Sequence, residues 1–216
     1  EGYFVVQDEA AQLASCLFDM RKDGVYLDGC AGVGGKTTHL AALLPEMGQL
    51  TAIEPEKSRY ALLAENLKRL KITGVLTENM NLAKFAAKSK QLYDGILLDV
   101  PCSGTGVIRR RPDIRWNRLA DDLPTYQQQQ LQLLDFASSL LKEDGTIVYA
   151  TCSLEPEENE QVISAFLAAH PHFFLADAGA YLPPEVSCLI DAQGCFHCTP
   201  DAGLDGFFAA GLCRTR

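Results

Sequence analysis

The 216-residue chain lacks any apolar run approaching the ~18 residues a membrane-spanning helix needs. It also lacks a charged, apolar, small-residue leader at its start, so it reads as a soluble, cytoplasmic protein. Between Glu143 and Cys213 there is not one Lys or Arg, against eleven Asp or Glu, which bars a polyanion from that stretch. Trp occurs once, at position 116. With 47% hydrophobic and 22% charged residues, the composition excludes disordered, collagen-like and coiled-coil chains. Eight cysteines suggest a disulfide scaffold at first sight, but such scaffolds are short and loop-rich, whereas this chain carries long periodic segments. A chain of this size buries roughly 70% of its unfolded surface and needs no cross-links, so the thiols are expected to be reduced. Position 1 is Glu, and residues 2–6 read as an ordered strand or turn, the pattern of a piece cut from a longer protein.

The net charge of −9 argues against a general nucleic-acid binder. Its distribution changes that reading, because the window 109–118, RRRPDIRWNR, holds five Arg and one Asp. A polyanion is therefore expected on that side alone.

Strand-like and helix-like segments alternate, which predicts a parallel sheet with helices on both faces. Helical patterns cover 8–20, 35–44, a segment opened by Pro55 and Glu56, 124–141, and a last one beginning near Glu157. Strands are expected at 25–28, 49–54, 75–77, 93–99 and 145–151, and 195–199 with 206–212 suit an antiparallel pair. The fold class is thus α/β, a mostly parallel doubly wound sheet with an antiparallel C-terminal pair, in a single domain over 1–216.

Such sheets bind ligands beyond the carboxyl ends of their strands. After the first strand comes LDGCAGVGGKTTHL, where closely spaced glycines let the backbone approach a ligand and turn into a helix. A phosphate loop of the form GxxxxGK[ST] would need Gly where Cys30 stands, and a dinucleotide GxGxxG from Gly32 fails at Thr37. A nucleoside loop remains, with Glu54 at the end of the second strand placed to accept both ribose hydroxyls. After the fourth and fifth strands come DVPCSGTG and TCSLEPEENE, which put Cys102 and Cys152 on the same edge.

These segments, together with QDEAAQLAS, IEPEKSRYALLAENLKRL and DGFFAAGL, resemble the RNA cytosine-5 methyltransferases of the Sun/Fmu (NOL1/NOP2/Sun) superfamily. The resemblance implies a Rossmann-like class I methyltransferase fold, S-adenosylmethionine as cofactor and RNA as substrate. It further implies that Cys30, Ala31, Gly32, Val33, Gly34, Gly35, Lys36 and Glu54 hold the cofactor. By the same likeness Cys152 is the nucleophile, Cys102 assists product release, and Asp99 lies between cofactor and target base. Asn79 aligns with a family acid near the adenine, and Val33 takes the place of a proline. The basic region that the family carries upstream has no counterpart here.

The chemistry is coherent with that assignment. Carbon 5 of cytosine is a poor nucleophile until a thiolate adds at carbon 6, and the proton on carbon 5 must then leave to a nearby base. A free thiol is only slightly ionised at neutral pH, so Cys152 needs an electropositive setting, for which Arg109–Arg111 are the expected source. Asp99 can bond the exocyclic amine or ring nitrogen 3 of cytosine. The target should be single-stranded or flipped out of its helix, with the arginine window and Trp116 contacting RNA. The protein is expected to act as a monomer without a metal. Cys195, His197 and Cys198 invite a zinc reading, but positions 195 and 198 of a strand face opposite sides. Cys16 and Tyr149 are expected to be packing residues, and His170 and His172 need no role. Two rivals remain: a nucleotide-dependent oxidoreductase or phosphohydrolase, resting on the glycine loop, Lys36 and Thr37, and a non-catalytic RNA-binding module retaining the fold.

Overall fold

In a computed structural model that describes residues 2–215 (position 202 by its backbone alone), the described residues form one eight-stranded sheet. Strands β1 (Val25–Asp28), β2 (Gln49–Ile53), β3 (Val75–Glu78), β4 (Tyr93–Asp99) and β5 (Leu141–Thr151) are parallel. Two shorter strands, β6 (Phe173–Ala176) and β7 (Phe196–Cys198), pair antiparallel with β8 (Phe207–Arg214), which itself runs antiparallel beside β5. The order is β3-β2-β1-β4-β5-β8-β6, with β7 also against β8.

Alternate side chains of the central strands feed two separate cores. Ile96, Leu98, Ile147, Tyr149, Phe208 and Ala210 pack with helices α4 (Leu82–Lys88), α6 (Leu123–Leu140) and α7 (Glu160–Ala169). Leu97, Val148, Ala150, Phe207 and Ala209 pack on the opposite face with α1 (Glu9–Ser15) and α2 (Gly35–Leu43). Helix α3 (Lys57–Arg69) seats Leu63 and Leu67 on Ala31 and Ala52. A single turn, α5 (Ile114–Asn117), lies within the arginine window. Burial on both faces explains why β4 and β5 read as continuous apolar runs.

Several boundaries differ from the sequence reading. The first helix stops at Ser15 rather than 20, because Cys16 and Leu17 bond back to Leu13 and Ala14 in a tighter turn and Phe18 then leaves to pack edge-on against Tyr26. Residues 2–6 make no strand; Tyr3, Phe4 and Val6 are exposed. Strand β5 begins four residues early, at Leu141, with a register shift against β4. Helix α7 begins at Glu160 rather than 157, since the side chains just before it are used elsewhere, as described below. Helix α4, capped by the Asn81 side chain accepting from Lys84 N at 2.9 Å, and strand β6 were not foreseen. Among the described residues no helix is long and apolar enough to cross a membrane.

Candidate functional site

The glycine loop leaves β1 at Asp28, whose side chain is fully buried beneath it. Thr37 Oγ1 donates to Asp28 Oδ2 at 2.7 Å and Cys30 N to Oδ1 at 3.3 Å, which pins both ends of the loop to one carboxyl. Burial pushes that carboxyl up to about 6, helped by the charge of Asp99 and opposed by the Thr37 hydrogen bond. Gly32 and Gly34 have φ of +57° and +94°, a region L side chains rarely adopt. At Gly34 a Cβ would also stand 2.7 Å from Leu63 Cδ1, so this position lets α3 pack against the loop. Asn66 Nδ2 donates to Val33 O at 2.9 Å and fixes the crest of the loop, where Val33 itself is exposed.

Glu54 sits buried at the tip of β2 and accepts from Glu56 N at 2.7 Å. Asn79 lies beside it, its amide nitrogen donating to Glu54 O at 2.8 Å and Pro55 O at 3.2 Å. With the nitrogen spent on the backbone, the oxygen is what Asn79 can offer a ligand's amine. These residues suit a nucleoside: a carboxylate at the tip of β2 for ribose hydroxyls and an amide acceptor beside it. Cys30 packs against the main core, and burial holds its thiol well above the ordinary range.

The fourth and fifth strands deliver the thiols. Cys102 Sγ and Cys152 Sγ are 3.4 Å apart. The hydrogen bond between the two sulfurs drives their acidities in opposite directions. It lowers Cys152, whose thiolate accepts it, and raises Cys102, which keeps the proton; burial raises Cys102 further. Lys36 also lowers Cys152, and Lys36 Nζ bonds Asp99 Oδ2 at 2.7 Å. The glycine loop, the tip of β4 and the thiol pair are thereby joined by one lysine. Such a set can present a thiolate, an adjacent proton carrier and a hydrogen-bonding carboxylate to one small planar ring.

Behind the thiols lies a network that sequence reasoning missed. Glu158 is fully buried and accepts from Ser103 N, Ser153 Oγ and Gln130 Nε2 at 2.9, 2.6 and 3.0 Å. Asn159, also buried, accepts from Thr151 Oγ1 at 2.6 Å and donates to Ser153 O at 2.9 Å. Tyr149, expected only to fill the core, is buried but also donates its hydroxyl to Glu158 O at 2.6 Å. In the sequence, Glu158 is one acid in the run EPEENE, which looks like solvated surface, and nothing in its spacing sets it apart. The start of β8 closes the other side. Gly106 N donates to Cys152 O and Gly206 N to Gly106 O, each at 2.9 Å, backbone against backbone.

The arginine window is not where Cys152 finds its positive charge. Arg109 Nη2 binds the buried Asp205 at 3.1 Å and Asp8 at 3.6 Å, and Arg110 also pairs with Asp205. These two arginines strap the window to the β8 entry instead, and Lys36 takes the role expected of them. Trp116 is 80% exposed, with the Arg115 guanidinium 5.7 Å from its ring. Cys195 and Cys198 are buried in the two opposite cores, so they do not converge. Among the described residues one set, Glu160, Asp191 and His197, brings possible metal-ligand atoms within 4.8 Å of one another. All three are partly exposed, and His197 Nδ1 faces Glu160 Oε1 at 3.7 Å, which an ordinary side-chain polar contact explains.

A nucleoside cradle opening onto the carboxyl edge of a mostly parallel sheet, with Asp99 between cradle and thiols, places the chain among the class I methyltransferases that use S-adenosylmethionine. Comparison with known proteins narrows this. The family model for 16S rRNA methyltransferase RsmB/F matches residues 15–213, and the chain belongs to that family, within the Sun/Fmu RNA cytosine-5 methyltransferases. It is 39% identical over 213 residues to ribosomal RNA small subunit methyltransferase B of Sodalis glossinidius and equally so to that of Yersinia pseudotuberculosis, covering 99% of this chain and 47% of each relative. The chain thus spans about half the length of the curated relatives it matches. Among solved structures it resembles NSun6 from Pyrococcus horikoshii, determined with an S-adenosylmethionine analogue, with a TM-score of 0.87 and 28% identity over all of this chain and 54% of that one. A methyltransferase homolog from the same organism gives a TM-score of 0.80 and 29% identity, over 99% of this chain and 68% of that one.

Proposed function

We propose that this chain is a catalytic domain that methylates carbon 5 of cytosine in RNA, by way of a covalent bond between Cys152 and the base. The observation that carries this reading is the 3.4 Å approach of two sulfurs delivered from the tips of adjacent parallel strands. S-adenosylmethionine, when bound by residues 30–36, Glu54 and Asn79, supplies an electrophilic methyl group beside Asp99. The Cys152 thiolate adds to carbon 6, which turns carbon 5 into an enamine-like nucleophile. That addition removes the thiolate that held the Cys102 proton, so Cys102 can release this proton to water and, as a thiolate, take the hydrogen from carbon 5. Loss of that hydrogen restores the double bond and expels Cys152. Lys36 engages Asp99 Oδ2, which leaves the other carboxylate oxygen to accept from the cytosine amine. Uracil offers a carbonyl there, so Asp99 favours cytosine.

The substrate is an unpaired or flipped-out cytosine, because a stacked base cannot reach paired thiols at a strand tip. The naming of its relatives points to RNA of the small ribosomal subunit. Trp116 offers an exposed face on which a neighbouring base can stack. The domain acts in the cytoplasm as a monomer, and no step calls for a metal. The test uses small-subunit rRNA transcribed in vitro and methyl-labelled cofactor. Cys152→Ala should abolish transfer, and Cys102→Ala should accumulate a protein–RNA adduct that survives denaturation. Transfer by the Cys152 variant, or no adduct with the Cys102 variant, would overturn the scheme.

A further inference from the structure

Glu158 takes no part in the reaction as written, yet it is fully buried and reaches both cysteine loops. Ser103, the residue after Cys102, gives it the backbone N–H at 2.9 and 3.2 Å to the two oxygens and its hydroxyl as well. Ser153, the residue after Cys152, gives its hydroxyl at 2.6 Å. Gln130 donates at 3.0 Å both to Glu158 and to Pro101 O, the residue before Cys102. The two serine hydroxyls meet the same carboxylate oxygen, Oε2, and lie 3.1 Å apart. All these groups donate inward, and a carboxylate has acceptor sites for each of them.

We propose that Glu158 is a positioning residue that fixes the Cys102–Cys152 separation, and through it the step in which carbon 5 loses its proton. This rests on the methyltransferase reading above. The two cysteines sit on loops that follow different strands, and the carboxylate grips the residue next to each. Losing that grip moves Cys102 relative to the Cys152 adduct. A displacement of about 1 Å is enough to slow a proton transfer by about a hundredfold. Addition of Cys152 to the base loses the Cys102 hydrogen bond as well but keeps the influence of Lys36, so it is affected less. Glu158 variants should therefore behave like a weakened Cys102, stalling at the adduct.

Glu158→Gln keeps the shape but swaps one acceptor for a donor, so the serine hydroxyls must turn round. Glu158→Asp keeps the charge but is one methylene too short to hold both loops. Each variant is assayed beside the parent and Cys102→Ala with transcribed small-subunit rRNA and labelled cofactor. The readouts are turnover, adduct on denaturing gels, and thermal unfolding. In folded variants the adduct fraction should rise about tenfold over the parent, towards that of Cys102→Ala, while turnover falls about a hundredfold. A folded variant with the parent's turnover and adduct overturns the proposal. So does turnover that falls with no adduct build-up, the behaviour of a merely structural residue. Should the Glu158 variants not fold, the double variant Ser103→Ala, Ser153→Ala removes the hydroxyl bonds and keeps the carboxylate, and the same outcomes decide. Adduct with Cys102→Ala but with none of these variants overturns this inference alone, whereas no adduct with Cys102→Ala overturns both it and the reading it rests on.

Discussion

Replacing Asp28 by Asn should remove a specific part of the protein's pH dependence. The carboxyl is fully buried and held at about 6 against an ordinary value of 3.8, with burial as the main cause. That gap corresponds to about 3 kcal/mol. Because the folded value is the higher one, the folded chain binds more protons than the unfolded chain between these limits. The contribution is therefore fully present below pH 4 and disappears as the pH rises through 6. Asn can keep both local bonds, its oxygen accepting from Cys30 N and its amide donating to Thr37 Oγ1. Urea unfolding of parent and Asp28→Asn, measured at intervals from pH 4 to 8, isolates the effect as a difference. Relative to the variant, the parent should lose about 2.5 kcal/mol from pH 4 to pH 7. A difference that stays constant with pH, or an Asp28 carboxyl that titrates near 4 by carbon-13 NMR, would refute the reasoning.

Three further outcomes are expected. In Gly106→Ala the added Cβ would lie 2.2 Å from Gly206 O and 2.8 Å from Cys152 O, both backbone atoms. The cost should be about 1–3 kcal/mol, seen as a lower melting temperature, and an unchanged melting curve would contradict the close approach. Lys36→Met removes the cation that helps lower Cys152, so the pH profile of Cys152 alkylation should move upward; an unmoved profile would exclude that influence. Trp116→Ala should leave folding untouched and weaken RNA binding by about 1–3 kcal/mol, measured by fluorescence anisotropy, and full affinity would remove the ring from the interface.

The alternation of strands and helices was legible because buried parallel strands such as ILLD in β4 have no polar face to confuse their reading. The glycine loop and the two thiols were legible for a related reason: ligands collect at strand tips, so residues just after a recognisable strand are the ones to weigh. What escaped was whatever depended on partners far along the chain. Arg109 and Arg110 look like free surface charge until Asp205, almost a hundred residues away, is seen between them. Glu158 looks like an ordinary acid because Ser103 and Gln130, which it holds, lie far back along the chain, and Asp28 does so because its burial does not show in its sequence spacing. Helix α4 is only two turns long, and its signals, Asn81 and the apolar pair Leu82 and Phe85, are too few to stand out. Strand β6 has four residues and one paired edge.

Strand β8 follows β6 and β7 in the chain but is seated between them and β5, so the sheet is completed by inserting its latest-made member into the middle. During synthesis the ribosome must release residue 214 before that gap can close. Until then Gly106 has no Gly206 to rest on, and the arginines have no Asp205 to anchor them. A nascent chain would already possess both sulfurs, the glycine loop and Glu158, but not the backbone contact at Gly206 that closes the other side of the site, so its closure should arrive in one late event.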